Sequence, residues 1–144
     1  MTVTTAPARR VLPHERATLE RAERTAQIAS TIKQQIDPNV LMSLGGHDFR
    51  AAGPVVADER GGLDFAVRIL PMKADGKRGS TPRIMRCRVT LTGADDYKVR
   101  VAYLNRHNIV VHYETDRGVY AEQLSRLLLA LDFDGDTVLN LRLL

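Results

Sequence analysis

With 144 residues, 44% of them hydrophobic, the chain can bury a core without disulfides or a structural metal. One cysteine excludes an internal disulfide, 5% aromatics with no tryptophan leave few rings for stacking bases, and no apolar run approaches the about 20 residues that span a bilayer. The net charge of +4 suits an anionic partner, and because Met1 to Arg10 lacks an apolar leader stretch, the expected compartment is the cytoplasm.

Met1 to Leu12 reads as a flexible arm carrying Arg9 and Arg10, and residues 13–144 as a single α+β domain. Pro13 fits the first turn of a helix that runs to about Ile36, with Leu19, Ala22, Ala26, Ala29, Ile32 and Ile36 in one stripe and Ile28 beside it. The stripe is weak before Leu19, so this first half projects or meets a partner. Asp37-Pro38 breaks and restarts the helix, and Gly45-Gly46 ends the short apolar turn of Val40, Leu41, Met42 and Leu44. The period then changes to two. A first strand is predicted over His47 to Ala52, and a loop lies between Gly53-Pro54 and Gly61-Gly62. A second strand follows with Leu63, Phe65, Val67 and Ile69 alternating against Asp64, Ala66 and Arg68.

Pro71 to Pro82 is a basic loop. In the next strand Met85, Cys87, Val89 and Leu91 point one way and Ile84, Arg86, Arg88, Thr90 and Thr92 the other. After the turn Gly93 to Asp96, Tyr97, Val99, Val101 and Tyr103 face the core with Lys98, Arg100 and Ala102 opposite. After Asn105 to Asn108, Ile109, Val111 and Tyr113 are expected in the core and Val110, His112 and Glu114 outside. The short polar turns imply an antiparallel meander. A second helix follows the turn Asp116-Arg117-Gly118 and carries Tyr120, Leu124, Leu127, Leu128 and Leu131; Asp132 to Asp136 ends it, and Val138 to Leu144 is an edge strand or ordered tail. The predicted fold is α+β, an antiparallel sheet of four to five strands with helices packed on one face and a long N-terminal helix.

Strand alternation sends Arg68, Arg86, Arg88, Lys98, Arg100 and His112 to the face opposite the core, with Lys73, Lys77, Arg78 and Arg83 at its end. Such a cluster binds a phosphate backbone of DNA or RNA by charge; the same pattern also describes a solvated face kept soluble by its cations. The tyrosines fall on the apolar side, so base stacking is not expected.

No catalytic arrangement stands out. Asp132-Phe133-Asp134-Gly135-Asp136 lacks the glycine position and terminal glutamate of a calcium loop. His14, His47, His107 and His112 have no metal-ligand spacing, and Cys87 is in phase with the core. The Gly76 to Gly79 loop opens no helix, so it is not a phosphate loop. No cofactor or metal is expected, and the chain is read as non-enzymatic. A cleft joining Asp95, Asp96 and a histidine is the arrangement that would reverse this.

The segments Thr31-Ile32-Lys33-Gln34-Gln35-Ile36, Leu41-Met42-Ser43-Leu44-Gly45-Gly46-His47-Asp48-Phe49, Arg88-Val89-Thr90-Leu91-Thr92-Gly93-Ala94-Asp95-Asp96-Tyr97-Lys98-Val99 and Gly118-Val119-Tyr120-Ala121-Glu122-Gln123-Leu124 resemble a family of small proteins of bacteriophages and integrative mobile elements. The resemblance covers about Thr31 to Leu131. It implies a viral or mobile-element origin and a host cytoplasm as workplace, and it carries no activity over to any residue. Two readings follow: an accessory protein that binds nucleic acid through the basic face, or a module that engages a host bacterial protein through the first helix or the exposed loop. Self-association through the first helix is compatible with either.

Overall fold

The computed structural model describes residues 12–73, 76–115, 118–131, 133–134 and 137–138. Helix α1 (Pro13–Gln35) opens on a proline, whose missing N–H costs nothing in a first turn, and the Glu15 carboxylate accepts a hydrogen bond from the Leu12 amide at 3.3 Å. Ile36 is extended and ends it. Asp37 then caps α2 (Pro38–Ser43), its carboxylate accepting from the Asn39 amide at 2.9 Å. Gly45, at φ 64°, supplies the left-handed residue that turns the chain out of α2.

Five strands follow: β1 (His47–Ala52), β2 (Glu59–Ile69), β3 (Arg83–Thr92), β4 (Tyr97–Asn105) and β5 (Asn108–Glu114). They form one antiparallel sheet in sequence order, as expected for a meander. Helix α3 (Ala121–Ala130) comes next, and β6 (Phe133–Asp134) pairs with β7 (Thr137–Val138) in a separate two-stranded ladder. The expected tail strand from Val138 and the arm before Leu12 lie outside the described residues apart from Val138 itself, as do Asp132, Gly135 and Asp136 of the acidic run.

The three helices share one face of the sheet. Ala29, Ile32 and Ile36 of α1 and its end, Val40 and Leu44 around α2, and Leu124, Leu128 and Leu131 around α3 are buried against Leu63, Phe65, Val67, Ile69, Met85, Cys87, Val89, Val99 and Val101. Burial of this aliphatic set is the main driving force for the fold. Polar ties fix the layers: the Ser125 hydroxyl accepts from the Asp37 amide at 2.9 Å, joining the α1–α2 corner to α3. Leu19, at the other end of the stripe, is exposed, so α1 meets the body only through its second half.

Two expectations are corrected. Gly61-Gly62 lies inside β2, not in the preceding loop: Gly62 pairs with Thr90 so closely that a Cβ built on it would sit 2.0 Å from the Val89 carbonyl oxygen. The glycine marks a close approach within the ladder rather than a turn. In β5 the register shifts, with Val101 opposite Tyr113 but Ala102 opposite Val111. His112 is the extra residue of this bulge, and the alternation changes phase there. Ile109 and Val111 therefore leave the core side for the open face.

Candidate interaction surface on the open sheet face

The face away from the helices is built by the even-numbered residues of β2, β3 and β4 and, on β5, by Ile109 and Val111 before the bulge and Glu114 after it. Ladder partners set its rows. Leu104 stands opposite Ile109, and Arg86, Ala102 and Val111 form the next row. Arg88, Arg100 and Glu114 form a third, and Thr90 with Lys98 a fourth. Ile84, opposite Arg68, adds to the first row, where Arg83 donates to the Leu104 carbonyl at 3.1 Å and ties the start of β3 to the end of β4.

The cations placed here do not form an uninterrupted positive surface. Arg86 donates to Asp64, with its Nε at 2.6 Å, and reaches Asp48 at 3.0 Å. Asp48 in turn takes Arg50 at 2.9 Å, and these arginines hold its carboxyl below the usual carboxylate range. Lys98 lies 3.2 Å from Asp58 and 3.7 Å from Glu59. Arg88 donates to the Gly53 carbonyl at 2.6 Å, and Arg100 has Glu114 at 4.0 Å. The carboxylates come from β1, from the loop before β2, from β2 itself and from β5, and they compensate Arg86 and Lys98 while leaving Arg88 and Arg100 without a hydrogen-bonded carboxylate.

The remaining expected binding residues sit elsewhere. Arg68 is exposed at the end of β2. Lys73 and Lys77 are exposed in the loop between β2 and β3, where the Lys73 amide donates to the Lys77 carbonyl at 2.7 Å. Arg83 lies 4.6 Å over the Tyr103 ring, on the core side of the sheet end. Arg78 donates to the Leu70 carbonyl at 3.1 Å and approaches His112 Nε2 at 3.4 Å. Both line a cavity of about 660 Å³ on the helix side, with Tyr113, Leu127 and Leu131. His112 is thus not part of the open face, because the bulge turns it to the other side. Burial there, and then the charge of Arg78, push its pKa below the ordinary histidine value.

The surface the sequence reading missed is apolar. Ile84 is 62% exposed, Leu104 66%, Ile109 66% and Val111 42%, all at one end of the open face and drawn from three neighbouring strands. Arg106, exposed in the turn between Leu104 and Ile109, and Arg68, across from Ile84, edge this patch with positive charge. The signal was partly visible: an isoleucine in phase with Arg86 and Arg88 is out of place on a purely solvated face.

Asp96 is buried and accepts from the Thr92 hydroxyl and, at 3.1 Å, from the Gly118 amide, while Asp95 pairs with Arg60 at 2.9 Å. Both carboxylates are thereby engaged in holding turns. Cys87 is wholly buried, and desolvation raises its thiol pKa far above the ordinary value, with Asp64 adding to the shift and Arg86 opposing it. Among the described residues no group of three His, Cys, Asp or Glu is placed to hold a metal ion, and no helix is long and apolar enough to cross a membrane.

Compared with known proteins, the chain matches no family model, no curated protein and no solved structure.

Proposed function

We propose that the chain is a non-enzymatic protein-interaction module that docks a partner protein on the open face of its sheet. The observation that carries this reading is the exposed patch of Ile84, Leu104, Ile109 and Val111. Contiguous aliphatic side chains on a sheet face carry a continuing hydration cost unless something covers them. Arg106 at the margin favours a partner that presents apolar side chains flanked by a carboxylate. A second copy of this chain fits less well, since it would bring the same cations against each other. The resemblance to phage and mobile-element proteins makes a bacterial host protein the partner to seek.

A phosphate backbone is the poorer match. It calls for a run of cations available to displace counterions, whereas Arg86 and Lys98 are engaged by carboxylates.

The test places a photo-crosslinking side chain at Leu104 and irradiates the protein in a bacterial cytosol. The expected result is one protein adduct of defined mass, insensitive to nuclease and lost in Ile109→Glu, with no such adduct from a label at Thr18 on the exposed half of α1. In parallel, purified protein is titrated with single- and double-stranded DNA and RNA at low salt, and no saturable binding is expected. Adducts indifferent to Ile109→Glu, or nucleic-acid binding that weakens steeply with salt, would overturn the proposal.

A further inference from the structure

Next to the aliphatic patch, two residues further along β3 and β4, the open face holds a cavity of about 620 Å³. Its floor is the cross-strand pair Arg88 and Arg100 with Thr90, and Val55 and Val56 form an apolar wall. Like charges directly opposite on neighbouring strands repel, and the chain itself does little to relieve this pair. Arg88 has the Gly53 carbonyl, a neutral acceptor, at 2.6 Å. Arg100 has Glu114 at 4.0 Å, too far for a hydrogen bond. Among the described residues no carboxylate oxygen lies within hydrogen-bonding distance of either guanidinium.

Thr90 adds a second, independent sign. It is 3% exposed, lines the cavity, and its hydroxyl has no hydrogen-bonding partner among the described residues. Buried hydroxyls are almost always satisfied, by protein, water or ligand. Two guanidiniums and an unsatisfied donor beside an apolar wall describe a receptor for an anion with an apolar body.

We infer that this cavity binds a carboxylate, clasped between Arg88 and Arg100 with the Thr90 hydroxyl as a further donor. Paired planar guanidiniums match a carboxylate's two oxygens. Lys98 and Glu59, 3.7 Å apart, line the cavity as a pair, and Glu114 stands in the same wall and repels the second charge of a phosphate dianion, which is the worse fit. The carboxylate can belong to a small organic acid or to an acidic side chain of a docked protein. The inference concerns the chemistry of this cavity and holds whether or not the aliphatic patch docks a partner.

The experiment follows the arginine Nε–H signals of the isotopically labelled full chain by NMR. Four probes are titrated: 4-methylpentanoate, a blocked tripeptide with one glutamate between two valines, inorganic phosphate, and sodium chloride at matched ionic strength. Saturable shifts of Arg88 and Arg100, with Arg60 unmoved, are expected from the carboxylates. Tighter binding of the tripeptide identifies a protein source for the carboxylate, and tighter binding of 4-methylpentanoate a small-molecule source. Arg100→Gln is expected to weaken binding by about tenfold or more, and Thr90→Val, which keeps the shape, by about fivefold. A dispersed spectrum of each variant reports that it is folded. Phosphate binding more tightly than both carboxylates, chloride reproducing the shifts, or variants that bind as the parent does would overturn the inference. Crosslinking from Leu104 is expected to survive Arg100→Gln in kind, so failure of the cavity and failure of the docking patch are separately visible.

Discussion

Gly62 is the residue whose identity the fold constrains most tightly. Any side chain there meets the Val89 carbonyl at 2.0 Å and the Thr90 Cα at 2.8 Å, both backbone atoms that can move only by distorting the ladder. Gly62→Ala is therefore expected to lower unfolding stability by about 3 kcal/mol, at the upper end of overpacking costs, as measured by urea denaturation. Gly53, in open space and outside any strand, tolerates the same change with a shift within about 0.5 kcal/mol. In sequence, a Gly-Gly pair after a loop reads as more loop. Nothing local distinguishes a glycine needed for a turn from one needed because a neighbouring backbone comes close.

At the scale of elements, what was legible depended on how regular each element is. The alternation of β3 and β4 placed Cys87, Val89, Val99 and Val101 in the core and the arginines outside, and the structure agrees. In β5 the pattern Ile109, Val111, Tyr113 has the same period, yet the bulge at His112 divides it between two faces. A bulge adds one residue without altering composition, so the hydrophobic pattern alone does not show it. The displaced histidine has a measurable consequence. Burial and Arg78 keep its folded pKa below the ordinary 6.5, so the unfolded chain takes up this proton first. The stability it contributes is complete above about pH 6.5 and is lost as pH falls from there through the lower folded value. Thermal unfolding followed at pH 7 and pH 5 should show a drop that is smaller in His112→Gln. Helix α1 gives the converse case. Its predicted stripe began at Leu19, but only Ala29 and Ile32 within the helix are buried. Leu19→Ala is expected to shift stability by no more than about 0.5 kcal/mol in urea denaturation, because that side chain is exposed.

Across the whole molecule, the sheet divides two tasks between its faces. One face and three helices enclose the core; the other carries an aliphatic end and a charged end. The architecture was readable because a change of period from helix to strand and short polar turns are local signals. The character of the open face was only half readable. Strand phase placed Arg86, Lys98 and Arg100 there with Asp64 and Glu114, but Asp48 and Asp58, which meet Arg86 and Lys98, arrive from β1 and the loop before β2. Charge compensation is a property of the folded pairing, and no count along the chain reveals it. The face expected to be positive is therefore a mixed one.

The close approach at Gly62 also bears on how the sheet finds its alignment. If β2 slid by two residues along β3, the faces would be preserved and the hydrophobic pattern would raise little objection. Yet Asp64 or Arg60 would then stand where only a hydrogen fits. The glycine thus acts as a detent, leaving the two strands one setting in which they can close.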